Sequence, residues 1–297
     1  MNPSPTPNPG FRRIGIVGLG LMGGSLALAL RRLEEPPFLA AFSLDRDELA
    51  QAQAAGIIDH AAPDPAAAVQ DADLVVYATP IAATLELLHA HRGLWPAHAI
   101  LTDLGSVKRP IMRRAAQLGL GTRFVGGHPM TGDHRTGLAA ARADLYELAR
   151  VWLVPAESPA HAHDRPPNPG HDPLARLAAL WRALGAQPAP IDADRHDLLV
   201  AWTSHLPQLA ASALGATLQR AGIDPTDLGP GGRDTTRLAA ASPDLWTDIL
   251  LHNADLLARP LAELRATLDQ LADALARHDP HTLHQLLERA RHWRQGG

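Results

Sequence analysis

The sequence predicts an α/β fold, in which an N-terminal domain on a parallel sheet is followed by an all-α domain. Three observations carry this. Short apolar runs alternate with helical patterns from Arg12 to about Val154. A glycine-rich turn, Gly18-Leu19-Gly20-Leu21-Met22-Gly23, separates the first run from the first helix. After Ile191 the alternation gives way to almost continuous helical periodicity.

Arg12–Val17 reads as a strand and Leu21–Leu33 as the helix that follows. Gly18 permits the tight turn between them, Gly20 lets a ligand approach the backbone, and Gly23 lets helix and strand pack closely. Phe38–Ser43 is the next strand, and Glu48–Ala55 a helix that stops at Gly56. Leu74–Tyr77 is a third strand, closed by Thr79-Pro80, and Ile81–His91 a third helix. Ala99–Asp103, Lys108–Leu118, Phe124–Val125 and Val151–Val154 continue as strand, helix, short strand and strand. Such alternation implies βαβ units with right-handed crossovers. Pro155 to Pro173 is rich in Pro, His and Asp and reads as an exposed loop before a helix at Leu174–Leu184. His161, His163 and His171 fall in that loop, which does not preorganise ligands, and no metal site is expected.

His196–Ala221 carries apolar residues at helical spacing. Ser242-Pro243 opens a long helix as N-cap and first residue. Its stripe runs Trp246, Ile249, Leu250, Asn253, Leu257, Leu261, Leu264, Leu268, Leu271, Leu275, with a kink expected at Pro260. A last helix covers His281–Trp293. One subunit has too little to cover that stripe, so a homodimer through the helices is expected. The expected organisation is a disordered start at 1–11, a dinucleotide-binding domain at 12–190 and a helical dimerisation and substrate domain at 191–297.

Composition narrows the classes. The 297 residues are 46% hydrophobic, yet no apolar run approaches the ~18 residues of a membrane span. Met1 to Pro9 lacks the basic and apolar regions of a signal peptide. Cysteine is absent and the net charge is −4, with acids and bases interspersed. A cytoplasmic protein without nucleic-acid or membrane partners is expected. Nearly all of the 16 histidines are expected to be solvated.

Four segments carry chemistry. In Gly-x-Gly-x-x-Gly, the helix N-terminus offers free N–H groups and a positive dipole end to a pyrophosphate. Gly18, Gly20, Leu21, Met22 and Gly23, with Thr79 and Pro80 at the end of the third strand, are the expected cofactor contacts. Ser106, in Thr102-Asp103-Leu104-Gly105-Ser106-Val107-Lys108, stands beyond a strand end, where ligands of open α/β sheets bind, and can also cap the next helix. His128, in Val125-Gly126-Gly127-His128-Pro129-Met130-Thr131-Gly132, is expected in a rigid turn, its imidazole able to accept a proton or a hydrogen bond near neutral pH. Gly231-Gly232-Arg233-Asp234-Thr235-Thr236-Arg237 offers arginines to a carboxylate, or a surface ion pair with Asp234.

The segments Gly18 to Ser25, Asp103 to Lys108, Gly127 to Gly132, Ser204-His205-Leu206-Pro207-Gln208 and Arg233 to Arg237 together resemble the prephenate/arogenate dehydrogenase family, in that family's order. The resemblance implies a Rossmann domain, a helical dimerisation domain and no regulatory domain after Gly297. It implies oxidative decarboxylation of prephenate or arogenate in tyrosine biosynthesis, with hydride passed to NAD or NADP. By the same resemblance His128 promotes hydride departure, Ser106 orients His128 or the ring hydroxyl, Arg237 holds a carboxylate and His205 lines the pocket. Thr131 stands where many members have Ala, and His134 where an acidic residue is common. Asp133 and His134 are then expected at the side-chain end of the substrate, where Asp133 would favour the amine of arogenate. Counting back from Gly56-Ile57-Ile58-Asp59, the family's acidic ribose position falls on Ser43. Ser43 with Arg46 suits a 2′-phosphate, so NADP is expected, and NAD if Asp45 turns inward. A 3-hydroxyacid dehydrogenase shares the glycine fingerprint but uses a lysine on an interdomain helix, and here the single lysine is Lys108. A non-catalytic NAD(P)-sensing protein would have no use for His128, Ser106 and Arg237.

Overall fold

The computed structural model describes residues 8–133, 135–156 and 172–296. Its strands are β1 (Arg13–Val17), β2 (Phe38–Phe42), β3 (His60–Ala61), β4 (Leu74–Tyr77), β5 (Ile100–Asp103), β6 (Phe124–Pro129), β7 (Arg150–Pro155) and β8 (Gln187–Pro190). They form one eight-stranded sheet in the order β3-β2-β1-β4-β5-β6-β7-β8. Neighbours run parallel except β6 and β7, which are antiparallel. The winding direction reverses between β1 and β4, the switch point at which doubly wound sheets bind ligands.

Helices α1 (Leu21–Leu30), α2 (Arg46–Ala54), α3 (Pro65–Val69), α4 (Ile81–Ala90), α5 (Arg109–Gln117) and α6 (Pro173–Ala183) cover both faces. Strand residues alternate between two apolar layers, as the period of two demands. Ile14, Ile16, Leu74 and Val76 pack with Leu26, Leu30 and Leu177 on one face. Val17, Val75, Tyr77 and Leu101 pack with Leu88 and Ile111 on the other.

Two strands exceed the sequence expectation. β3 is only two residues long, and β8 contains Pro188 and Pro190, residues that argue against a strand except at an edge, where β8 lies. The histidine segment also differs. Gly126, Gly127 and His128 are strand, not a rigid turn, because β7 pairs with them and sets His128 opposite Trp152. Glycine is needed there, since a Cβ on Gly127 would collide with the backbone carbonyl of Asp103.

The remaining chain is helical: α7 (Ala193–Val200), one π-helical turn at Ala201–His205, α8 (Leu206–Arg220), α9 (Pro230–Thr236), α10 (Pro243–His252), α11 (Ala254–Ala276) and α12 (Pro280–Arg294). Ser242 caps α10 by accepting the Leu245 N–H. The expected single helix with a kink at Pro260 is instead two helices. The break is at Asn253, whose φ of −124° leaves the helical region, while α11 runs through Pro260. Asn253 is buried and its amide is drawn toward Asp197 and His205, which explains the position of the break.

Two carboxylates of the helical half cap helices of the sheet half. Asp248 of α10 accepts the N–H of Ile81 at 2.7 Å and of Ala82 at 3.3 Å, where α4 has no side-chain cap of its own. Asp197 of α7 does the same for α5, accepting the N–H of Lys108 at 2.7 Å and of Arg109 at 2.8 Å. Among the described residues no helix is long and apolar enough to cross a membrane.

The glycine turn generates a paired test. A Cβ on Gly23 would collide with the Gly18 carbonyl, whereas one on Gly20 would meet open space. Gly23→Ala should therefore lose about 1–3 kcal/mol in urea denaturation, and Gly20→Ala should keep the wild-type midpoint. A wild-type midpoint for Gly23→Ala would contradict the close packing of α1 on β1.

Candidate active site

The ends of β1 and β4 bring the expected cofactor residues together. Gly18 takes the left-handed conformation, φ +99°, and its N–H donates to the Phe42 carbonyl at 2.8 Å. A Cβ there would strike the Ala78 carbonyl, so the turn after β1 lies directly against the end of β4. Gly20 begins α1 without any side-chain cap, and Gly20, Leu21 and Met22 are half-buried. Thr79 and Pro80 border the same opening, the Thr79 hydroxyl lying 2.8 Å from that of Thr84. An uncapped helix N-terminus behind crowded glycines fits the pyrophosphate of a dinucleotide. Ser43 closes β2 and is buried, and its hydroxyl accepts the Asp45 N–H at 3.3 Å. The Asp45 carboxylate turns back to cap α2, accepting the Glu48 N–H at 2.9 Å. The Arg46 guanidinium lies 5.1 Å from the Phe42 ring centroid and donates to the carbonyls of Pro63 at 2.7 Å and Ala62 at 3.4 Å.

A buried polar network occupies the ends of β5 and β6 beneath α7. His128 Nδ1 lies 2.8 Å from His196 Nε2, and His196 Nδ1 lies 2.7 Å from Asp197 Oδ1. The fully buried Lys108 ammonium donates to Asp103 and, at 2.6 Å, to the Gly127 carbonyl. Asp103 also accepts the N–H of Gly105 at 2.8 Å and of Gly127 at 3.2 Å. The ends of β5 and β6 are thereby fastened around one ion pair. The Asn253 amide donates to the Asp197 carbonyl at 2.9 Å and lies 3.2 Å from His205 Nδ1. With His205 Nδ1 accepting, its Nε2 carries the proton. That buried Nε2 has no hydrogen-bond partner among the described residues.

Burial decides the charges. It holds His128 well below its ordinary value of 6.5, reinforced by the neighbouring His196, Lys108 and His205. It lowers His196 against the opposing pull of Asp197, and pushes His205 down to about 4. Burial alone would raise Asp197, but hydrogen bonds from His196 and from the backbone of Lys108 and Arg109 hold it below its ordinary value. All three imidazoles are therefore neutral at pH 7, and Asp197 is a carboxylate.

Other expected residues are distributed as follows. Ser106 is half-buried at the end of β5, and among the described residues its hydroxyl has no hydrogen-bond partner, so it does not cap α5. Lys108 is the N-cap residue, and Asp197 supplies the capping oxygens. Arg237 is exposed in a short 3-10 segment, Arg237–Ala240, without an ion pair to Asp234 among the described residues. Gln208 donates to the Leu238 carbonyl at 2.9 Å, which sets that segment about one helical turn along α8 from His205. Asp133 pairs with Arg135 at 2.8 Å. His134, like His161, His163 and His171, lies outside the described residues.

Sequence reasoning missed His196, Asp197, Asn253 and the role of Lys108. It also counted nearly all histidines as solvated, whereas His91, His128, His196 and His205 are buried. The available signal was His196-Asp197 inside an otherwise apolar helical pattern, leading to His205.

A helix N-terminus at a switch point that fits a dinucleotide, a neutral buried histidine near the end of β6 and a helical half joined to the sheet through Asp197 and Asp248 together fit the class of two-domain nicotinamide-dependent dehydrogenases. Residues 26–164 match the family model for the prephenate dehydrogenase nucleotide-binding domain, and residues 192–289 that for its dimerization domain. A prephenate dehydrogenase of Bacillus subtilis is 32% identical over 95% of this chain and 75% of its own length. The fold matches prephenate dehydrogenase from Aquifex aeolicus, in complex with hydroxyphenyl propionate and NAD+, with TM-score 0.84 and 28% identity over 96% of this chain and 98% of that one. It matches Synechocystis arogenate dehydrogenase with TM-score 0.74 and 31% identity over 95% and 99%. The chain belongs to the prephenate dehydrogenase family.

The neutral histidines set the pH dependence of stability. Their folded pKa values lie below the unfolded value of 6.5, so the unfolded chain takes up protons first as pH falls. Their contribution is intact above 6.5 and is lost as the pH drops below it. The urea midpoint should fall between pH 7 and pH 5, and His205→Gln should flatten part of that fall. A midpoint unchanged over this range would contradict neutral burial.

Proposed function

We propose that this chain oxidatively decarboxylates prephenate, arogenate or both, with His128 as the base. The carrying observation is His128 itself. It is buried and neutral near the end of β6, its Nδ1 is engaged by His196, and Nε2 is left for substrate. When bound, NAD(P) supplies the acceptor for the hydride that leaves the ring carbinol carbon. His128 takes the hydroxyl proton at Nε2 as the ring oxygen becomes a carbonyl. The ring carboxylate departs as CO2, its bonding electrons pass through the ring onto the carbonyl oxygen, and that oxygen regains the proton from His128 to give the phenol, so aromatisation supplies the driving force.

Gly18, Gly20, Leu21, Met22, Gly23, Thr79 and Pro80 would hold the dinucleotide. Ser106, Arg237, His205, Asp133 and His134 would serve the substrate. His205 offers a buried N–H donor with no other partner among the described residues. Asp133 already carries Arg135, so a preference for the amine of arogenate requires that pair to open. The alternative of a 3-hydroxyacid dehydrogenase fails on Lys108, which is committed to Asp103 and Gly127 rather than standing in a cleft.

We further assign NADP as the preferred cofactor. No carboxylate lies at the end of β2, the Asp45 carboxylate faces its own helix, and Arg46 stands in the same turn. We read the assembly as a homodimer in the cytoplasm. On α11, Leu257, Leu261, Leu264, Leu268, Leu271 and Leu275 follow one another at intervals of four and three, the seam of a packed helix pair. Leu257 is buried within the chain, whereas Leu261, Leu268 and Leu275 are exposed and call for a partner helix.

Two experiments test this reading. His128→Asn should lower kcat about 100- to 10,000-fold with cofactor affinity near wild type, followed at 340 nm with prephenate and arogenate side by side. Retention of half the wild-type kcat on the better substrate would remove His128 from the mechanism. For the cofactor, kcat/KM should favour NADP, and Ser43→Asp should reverse the preference, since a carboxylate repels the 2′-phosphate and accepts from a 2′-hydroxyl. A wild-type preference for NAD would end the Ser43 assignment and leave the enzyme class standing.

A further inference from the structure

The mechanism needs a lone pair at His128 Nε2, and an imidazole alone does not fix which nitrogen carries its proton. The chain from His128 through His196 to Asp197 fixes it. Asp197 Oδ1 and Oδ2 accept the backbone N–H of Lys108 and of Arg109. Backbone amides only donate, so the carboxylate can only accept. The proton between His196 Nδ1 and Asp197 Oδ1, 2.7 Å apart, therefore belongs to His196. His196 Nε2 must then accept, and the proton between it and His128 Nδ1, 2.8 Å apart, belongs to His128. The rings meet edge to face at 70°, with centroids 5.0 Å apart. His196 and Asp197 are both fully buried, so water does not offer an alternative partner.

We propose that His196 and Asp197 are positioning residues that set the tautomer of His128, so that its Nε2 lone pair is the one presented to substrate. The inference rests on the reading of His128 as base. During turnover the hydroxyl proton moves to His128 Nε2, no other bond in the relay breaks, and the positive charge formed faces the Asp197 carboxylate through His196. As CO2 leaves, the ring becomes a phenolate whose oxygen takes the proton back from His128 Nε2, so the imidazole is neutral again when product departs. The charged and titratable groups around the pair are Lys108 from the turn before α5, Asp103 from β5, His205 from the π-helical turn, and Arg109 of α5, whose Nε lies 3.4 Å from Asp197 Oδ2 and whose other end pairs with Asp255 at 2.6 Å, with Asp197 beside His196 on α7. Lys108 and Asp103 offset each other.

The test compares two replacements that differ in whether they accept a hydrogen bond. In His196→Gln the amide oxygen can take the His128 Nδ1 proton, and in His196→Leu nothing can. With the faster of prephenate and arogenate, His196→Leu should lose about 100-fold or more in kcat with KM changed less than about threefold. His196→Gln should keep at least about a tenth of wild-type kcat. The acid limb of kcat/KM should move to higher pH in His196→Leu, because the neighbouring imidazole that disfavours charge on His128 is gone and Asp197 is unmasked. A kcat within threefold of wild type in His196→Leu would overturn the proposal, as would equal loss in both variants with an unmoved acid limb. His128→Asn is assayed alongside. If it is active the base assignment itself falls, and if it is inactive while His196→Leu is active only the relay falls. Should His196→Leu not fold, 15N spectra of the wild-type imidazoles decide, the His128 signals being those missing from His128→Asn. A proton on His128 Nδ1 supports the relay, and a proton on Nε2 overturns it.

Discussion

The carboxylate of Asp197 is the constraint from which the rest of the site follows. It sits fully buried on α7, and three hydrogen-bond donors from two domains converge on it. Two are backbone amides at the start of α5, and the third is His196. A buried carboxylate without donors would be costly, so its presence requires α5 to begin where it does and α7 to lie across β6. The same oxygen atoms that join the domains fix the hydrogen-bond polarity reaching His128. The joining of the two halves and the orientation of His128 are thus one interaction.

Lys108 does for the sheet what Asp197 does for the domains. Its ammonium joins Asp103 at the end of β5 to the carbonyl of Gly127 on β6, next to His128. A chain with 27 basic residues uses its single lysine in a fully buried position, where a flexible stem can reach between two strands. Gly126 and Gly127 belong to the same arrangement. A Cβ on Gly126 would crowd Met112 and the Lys108 stem, and one on Gly127 the Asp103 backbone. The pair of glycines before His128 therefore reports a close approach of β5 to β6 rather than a turn.

Strands β1, β2, β4, β5, β6 and β7 were largely legible because their signals are local, whereas the two-residue β3 carries too short a pattern to read. An apolar run, a glycine turn and a helix of the right length suffice to place Gly18, Gly20 and Gly23 in the turn from β1 into α1. The strand at 187–190 was not legible, because prolines suppress the strand pattern and only the edge position tolerates them. The Asn253 break was not legible either, since its cause is a side chain reaching residues 56 and 48 positions away. His128 and His205 were set apart by the motifs around them. Their partners were not, because His196 and Asp197 gain meaning only when α7 folds over β6. Histidine is polar in sequence statistics, so a histidine whose burial depends on a carboxylate one residue on looks like surface.

Amide hydrogen exchange at Lys108 and Arg109 tests the central role of Asp197 most directly. The first-turn amides of a helix have no acceptor within that helix, so they ordinarily exchange fast. If Asp197 holds them, both should exchange as slowly as the amides of β4 and β5 in the wild-type protein, and Asp197→Ala should release them while the sheet stays protected. Fast exchange at both positions in the wild type, alongside a protected sheet, would contradict the account.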